Sequence, residues 1–289
     1  MALEGLVTTA GGWLEVADKP SPEALAAYYN DKYYAAGRGQ YAAAYSDDEL
    51  KHKQLAAAEA AHVCAHDRGR LLEVGFGEGF FLDWFANAGW EVEGVDFTDE
   101  GLRAFFPHLL DRVQVGDAFA LLDSIIQRGE TFDLVVCNNV IEHVLDPEGL
   151  LARLKPIVAP GGLLRLAAPN DGSWLQEEVV ERGGADAGFF VAVPDHLSYF
   201  NADSLPRLLQ ANGWTVADLL GEFPIDIFLL NPDTAYTRDR TKGRACHLAR
   251  VAFELGLWQR RGLEGVLAYR RGCAAAGVGR NLIAYAHRA

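Results

Sequence analysis

Residues 71–79 read Leu-Leu-Glu-Val-Gly-Phe-Gly-Glu-Gly, an apolar run that ends in a glycine-rich turn. Glycines at 75, 77 and 79 let the backbone turn tightly and let a ligand approach where a Cβ would collide. Alone, such a turn is equally well a sharp strand-to-helix corner with nothing bound. Two acids downstream change its meaning. Asp96 ends the next apolar run, EVEGVD, and Asp117 ends the one after it, VQVGD. A carboxylate at the end of a second strand can accept both hydroxyl hydrogens of a ribose, and one at the end of a third lies where an adenine edge would sit. Each is a surface carboxylate by default. In register at consecutive strand ends, with Glu73 inside the first strand, they converge on one crevice.

A second set of residues could move a proton. Asn138-Asn139-Val-Ile-Glu142-His143 follows the apolar run at 132–137, and Asp195-His196-Leu-Ser-Tyr199-Phe200 lies further on. Histidine titrates near neutral pH and suits a general base. His196 is the first candidate, His143 the second, and Tyr199 stands beside the first. The competing role of each histidine is structural. No metal is expected here, because Asn138 and Asn139 offer no carboxylate to a hard cation such as magnesium. The run His62-Val-Cys64-Ala-His66 invites a zinc reading, but on a helix the two histidines share a face from which Cys64 points away.

The elements that must position these groups follow from the apolar pattern. Residues 21–66 are Ala-rich and read as helical, with a break near Gly37 and Gly39; the unit 1–66 is expected to be an N-terminal helical cap. From Arg70, short apolar runs alternate with helical segments, which predicts a parallel sheet with crossover helices. Strands are expected at 70–74, 91–95, 112–115, 132–137 and 162–168, with helices beginning near Gly79, Asp99, Phe119 and Pro147. Continuously apolar strands imply a sheet covered on both faces. Residues 170–198 read as a long loop or lid, followed by a helix capped by Asn201 and a strand at 214–220. A helical insertion over 221–279 and a last strand complete a core over 67–289, so that one compact α/β domain is the economical reading.

Taken in order and spacing, LEVGFGEG, GVD, VGDAF, FDLVVCNNVIEHVLDP and VAPGG resemble the motifs of class I S-adenosylmethionine-dependent methyltransferases, with a Rossmann-like sheet. The resemblance is strong over residues 65–170 and weaker through PDHLSYF. It implies that Glu73 helps hold the methionine end, that Gly75, Gly77 and Gly79 pass beneath the cofactor, and that Asp96 with Phe97 meets the ribose side. Asp117, Ala118 and Phe119 would frame the adenine, and Asn138 would flank the site. Tyr28, Tyr29, Tyr33 and Tyr34 could form a lid over the cofactor, although core packing is their commoner use. A nicotinamide-dependent Rossmann oxidoreductase is the main rival; its turn is GxGxxG, and Glu78 inside this turn would repel a pyrophosphate. A catalytically silent methyltransferase-like partner protein is the other alternative. The run PND–PDHLSYFNADSL–GW resembles bacterial enzymes of sugar and natural-product pathways. It implies a small-molecule acceptor, with O-methylation ahead of N-methylation.

Composition agrees. The formal charge of −14 repels phosphate backbones and anionic lipid, so neither nucleic acid nor a membrane is an expected partner. No apolar run reaches the ~18–20 residues of a membrane span. No basic residue precedes the first apolar stretch, unlike a secretory signal. Four scattered cysteines without a CxxC pair fit a reducing, cytoplasmic setting. Twenty Arg against six Lys suggest a GC-rich bacterial genome. The Arg-rich insertion (Arg240, Arg244, Arg250, Arg260, Arg261) is a candidate contact for an acidic substrate group or for a second subunit in a homodimer; solvated helix faces are the commoner explanation.

Overall fold

A computed structural model describes residues 3–34 and 45–289, so the break expected near Gly37 and Gly39 lies outside the described residues, as do the side chains of Tyr33 and Tyr34. The chain opens with strands β1 (Leu6–Thr8) and β2 (Leu14–Val16) and helices α1 (Pro22–Tyr34) and α2 (Asp47–Cys64). The alternating part follows: β3 (Arg70–Val74), α3 (Phe80–Asn87), β4 (Glu91–Asp96), α4 (Glu100–Phe105), β5 (Val113–Val115), α5 (Ala118–Arg128), β6 (Phe132–Asn138), α6 (Pro147–Ile157) and β7 (Val158–Pro169). It closes with α7 (Trp174–Glu181), β8 (Ser198–Tyr199), α8 (Ser204–Ala211), β9 (Trp214–Gly221), α9 (Gly243–Ala275) and β10 (Asn281–Arg288). Among the described residues no helix is long and apolar enough to cross a membrane.

Seven strands form one sheet in the order β5-β4-β3-β6-β7-β10-β9. The first five in that order run parallel, and β10 is antiparallel to both β7 and β9. The chain steps outward from β3 to β5, then returns to place β6 on the other side of β3. That reversal opens a crevice at the carboxyl ends of β3 and β6, the usual ligand position in such sheets. Successive side chains enter opposite cores. Leu72, Val135 and Leu164 pack toward α5, α6 and α8, while Leu71, Leu134 and Leu163 pack toward α2, α3 and α9. Each fully buried leucine contributes about 2 kcal/mol of transfer free energy. Coverage on both faces explains the apolar runs of the inner strands β3, β6 and β7, whereas β4 and the edge strand β5 carry polar, partly exposed residues.

Local signals fix the helix starts around the crevice. Asp117 caps α5 by accepting from Ala120 N–H at 2.9 Å, and Asp146 caps α6 by accepting from Gly149 N–H at 2.8 Å, with Pro147 in the first turn. A capping box of Ser46 and Glu49 starts α2.

Two expectations need correction. The N-terminal unit is not wholly helical: β1 and β2 form a hairpin across Thr9–Gly12, and β2 pairs with β8 in a separate three-stranded sheet. Residues 170–198 are not simply a loop, since they contain α7. Its Gln176 donates to Asp226 at 3.2 Å, and Tyr236 donates to the same carboxylate at 2.6 Å, so the segment is tied down by buried polar bonds.

A buried ionic network joins early and late parts of the chain. Glu59 on α2 accepts from Arg270 on α9 and from the Tyr285 hydroxyl on β10. Arg270 also donates to Glu254, which bonds His52. Arg165 on β7 donates to the Tyr285 oxygen and to the side-chain oxygen of Asn138. Two guanidinium groups offset two carboxylates, which is how buried charge is tolerated.

Candidate active site

A cavity of about 420 Å³ lies in the crevice, within the usual range for small-ligand sites. Gly75, Gly77, Asp96, Phe97, Gly116, Asp117, Ala118 and Phe119 form one side of its lining, and Asn139, Val140, His143 and Leu145 the other. Helix α1 covers it with Leu25, Ala26 and Tyr29. The glycines of the turn differ in purpose. All three have positive φ. A Cβ at Gly75 would come within 2.3 Å of Val140, and one at Gly79 within 2.2 Å of Leu102, whereas Gly77 faces open space. Gly75 and Gly79 are demanded by packing and Gly77 by its conformation beside the cavity.

Asp96 braces the turn. Its Oδ2 accepts from Gly77 N–H at 2.8 Å and its Oδ1 from Thr98 N–H at 3.2 Å. Each carboxylate oxygen can accept two hydrogen bonds, so capacity for a ligand diol remains. Burial raises the Asp96 pKa, and the Gly77, Thr98 and Phe97 N–H groups oppose that rise. Glu73 lies buried behind the lining, with Oε2 unpartnered among the described residues. Burial first, then the charge of Asp96, push its carboxyl well above the usual carboxylate range. An orphaned buried acceptor beneath a glycine turn, next to a carboxylate with spare acceptor capacity, fits a cofactor that brings both an amino group and a ribose.

The proton-transfer candidates separate in space. His143 lines the cavity; His196 and Tyr199 do not. The His196 ring packs edge-on against His143 at 4.8 Å between centroids. The Tyr199 hydroxyl donates to the His196 carbonyl at 2.9 Å and accepts from Ala192 N–H at 3.2 Å, so it holds the 192–199 turn together. Asn138, expected to flank the cofactor, is instead turned toward Arg165, and its neighbour Asn139, at φ 51°, takes the place in the lining. Tyr29 reaches across the cleft. Its hydroxyl donates to the Asp195 carbonyl at 3.3 Å, and its ring lies 6.1 Å from Phe97 and 6.3 Å from His143. Gly116 and Leu145 were not singled out from sequence, and Asn139 was named without a place in the lining; the signal was their adjacency to residues that were.

Glu78 does not face the cavity. Lys53 and Tyr45 bond its carboxylate at 2.7 and 2.6 Å. Charge repulsion of a pyrophosphate by Glu78 therefore carries less weight than the sequence implied, because a cation already neutralises it. Arg244 of the insertion is likewise engaged, with Glu49. The zinc reading of 62–66 gains nothing, since Cys64 is buried while His62 bonds Glu264 at the surface.

Glu142, His143 and His196 each bring one donor atom within 4.8 Å of the others. The Asp195 carbonyl takes the Nδ1 hydrogen of His143, which leaves Nε2 as the atom His143 offers to this group. Glu142 is 1% exposed, and burial, followed by the charges of Asp171 and Asp195, raises its pKa to about 8. A carboxyl whose folded pKa lies above its unfolded value stabilises the native state at low pH and loses that contribution as pH rises toward 8. The melting temperature of Glu142→Gln should therefore gain on the wild type as pH goes from 5 to 8.5. A constant difference across that range would show that Glu142 is not held neutral.

A model described as a methyltransferase domain matches residues 31–219. Among curated relatives, the ubiquinone biosynthesis O-methyltransferase of Aromatoleum aromaticum is 26% identical over 164 residues, covering 53% of this chain and 66% of the relative. That of a Caulobacter species is 31% identical over 103 residues, covering 35% and 41%. The human mitochondrial one is 26% identical over 182 residues, covering 58% and 45%. The aligned part is thus less than two thirds of each relative. Among solved structures, Burkholderia thailandensis 1,6-didemethyltoxoflavin-N1-methyltransferase superposes with a TM-score of 0.52 at 15% identity, over 98% of both chains. The [4+2]-cyclase SpnF superposes with a TM-score of 0.52 at 18% identity, over 93% of this chain and 97% of its own. At such identities the likeness establishes the fold. The family match extends over most of the chain and takes in the glycine turn, the strand-end acids and the cavity lining apart from α1: this chain belongs to the class I S-adenosylmethionine-dependent methyltransferases.

Proposed function

We propose that the protein transfers a methyl group from S-adenosylmethionine to a hydroxyl of a small-molecule acceptor, of the kind met in sugar or natural-product pathways. The observation that carries this is the position of His143, a histidine with a fixed tautomer in the lining of the cofactor cavity. Bound there, the cofactor supplies an electrophilic methyl group that an aligned oxygen displaces in line. The residues then have separate tasks. Asp96 accepts from the ribose hydroxyls, Asp117 and the backbone of Ala118 and Phe119 frame the adenine, and Glu73 holds the amino end. Tyr29 and the rest of α1 exclude water, and His143 takes the acceptor proton. The names of the O-methyltransferase relatives support oxygen over nitrogen as the methylated atom. Four buried thiols suit a reducing compartment such as the cytoplasm.

Calorimetry tests the cofactor assignment: S-adenosylhomocysteine should bind stoichiometrically and NADH should not. NADH binding without S-adenosylhomocysteine binding would overturn it. Co-crystals with the demethylated cofactor and a panel of sugar and natural-product hydroxyl compounds would then identify the acceptor. Turnover should also survive EDTA, because Asn138 and Asn139 are neutral and Asn138 is turned away. Turnover lost on chelation and restored by a divalent ion would reassign Glu142, His143 and His196 as metal ligands.

A further inference from the structure

His143 sits between two acids. Its Nδ1 lies 2.6 Å from the Asp195 carbonyl oxygen, which can only accept, so Nδ1 carries the hydrogen. In the neutral ring Nε2 then holds the lone pair, and Nε2 is 3.9 Å from Oε1 of Glu142. On the other side, Oδ1 of Asp195 lies 3.6 Å from Nδ1. Neither carboxyl oxygen of Glu142 has a hydrogen-bond partner among the described residues. Its backbone is nevertheless held firmly, the carbonyl accepting from Leu197 N–H at 2.7 Å and from Ser198 N–H at 3.2 Å. A carboxyl used only for structure would be paired; this one is enclosed, placed beside the candidate base and left unsatisfied.

The charged and titratable groups around it come from three directions. His143 and Cys137 lie on its own segment, Asp171 and Arg280 at the end of β7 and just before β10, and Asp195 and His196 on the 192–197 turn. The acids oppose ionisation of Glu142 and Arg280 favours it, while burial outweighs both. Burial thus biases the carboxyl toward its neutral form.

We infer that Glu142 is the proton reservoir of the site: it releases its proton when a cationic cofactor fills the cleft that His143 lines, and regains one from the acceptor through His143 Nε2. This rests on the methyl-transfer reading above. A positive charge nearby strengthens an acid about 10- to 1,000-fold, and S-adenosylmethionine differs from its product by one positive charge on sulfur. During transfer the oxygen–methyl bond forms and the methyl–sulfur bond breaks, its electron pair staying on sulfur. The hydroxyl proton passes to Nε2 of His143 and then to the Glu142 carboxylate. Glu142 and His143 end neutral, as they began. The one proton the reaction must liberate is the one Glu142 gave to solvent at binding. Glu142 is thus a positioning residue that acts through His143.

Proton release can be counted by titrating each cofactor form at pH 7 in buffers of different ionisation enthalpy. Wild-type protein should release about 0.4 to 0.9 of a proton more with S-adenosylmethionine than with S-adenosylhomocysteine at pH 7. Glu142→Gln, which keeps the shape of the neutral acid, should abolish most of that difference while binding S-adenosylhomocysteine within about threefold of wild type. Equal counts in the wild type, or a difference that persists in the variant, would overturn the inference. Failure of both cofactor forms to bind would instead defeat the methyl-transfer reading. Infrared difference spectra of the wild type need no variant. S-adenosylmethionine should remove one more protonated-carboxyl band than S-adenosylhomocysteine does, and identical difference spectra for the two forms would also overturn the inference.

Discussion

His143→Ala should cut turnover by ~10²–10⁴-fold while S-adenosylhomocysteine still binds nearly as well as to the wild type. A hydroxyl loses its proton as it attacks, and the ring that lines the cavity is placed to accept it. The Asp195 carbonyl fixes its Nδ1–H, so only Nε2 is basic. Wild-type turnover should therefore rise with pH, and the variant should lose that limb of the profile. His196→Ala provides the contrast. Its ring touches His143 but does not line the cavity, so its removal should loosen His143 and cost much less. If His143→Ala keeps near-normal turnover across pH, the acceptor proton leaves by another route and a neutral amine acceptor becomes the better reading.

Asp96→Ala should weaken cofactor binding more than any other single change in the lining. Each charge-assisted hydrogen bond to a ribose hydroxyl contributes ~1.5–3 kcal/mol, so losing two lowers affinity by at least ~100-fold. The carboxylate also holds Gly77 N–H at 2.8 Å, so its removal loosens the turn as well as the ribose contact. Asp96→Asn, which keeps one acceptor, should fall between. Calorimetry with S-adenosylhomocysteine measures this directly. Unchanged affinity in a folded Asp96→Ala protein would mean that the ribose lies elsewhere.

The sheet was legible because its strands carry their own signal. Runs such as LLEV and DLVVC are apolar on both sides, and both sides are covered, so local pattern and tertiary environment agree. Helix starts were legible where a capping acid precedes them, as at Asp117 and Asp146. The N-terminal hairpin was not, because its strands have three residues each and β2 finds its further partner at Ser198–Tyr199, far along the chain. No local pattern encodes such a pairing. The cofactor side of the site was readable from strand ends, since position along a parallel strand fixes which end faces the crevice. The proton-transfer side was not. Which asparagine enters the lining depends on Arg165 capturing Asn138, and which histidine enters depends on the 192–199 turn folding back onto the Glu142 carbonyl. Both are set by contacts between segments far apart in sequence.

The placement of β10 bears on how the chain matures on the ribosome. This strand is threaded between β7 and β9, and among the described residues β9 pairs with the sheet through it alone. Until residues 281–288 have emerged, Leu164–Pro169 of β7 form an unpaired edge and β9 has nowhere to dock. A nascent chain in that state shows a long, apolar strand edge, the kind that captures other chains. Loss of Asn281–Arg288 would remove an interior member of the sheet, with Tyr285 and its share of the buried ionic network, so quality-control proteases should treat that short deletion as a large lesion.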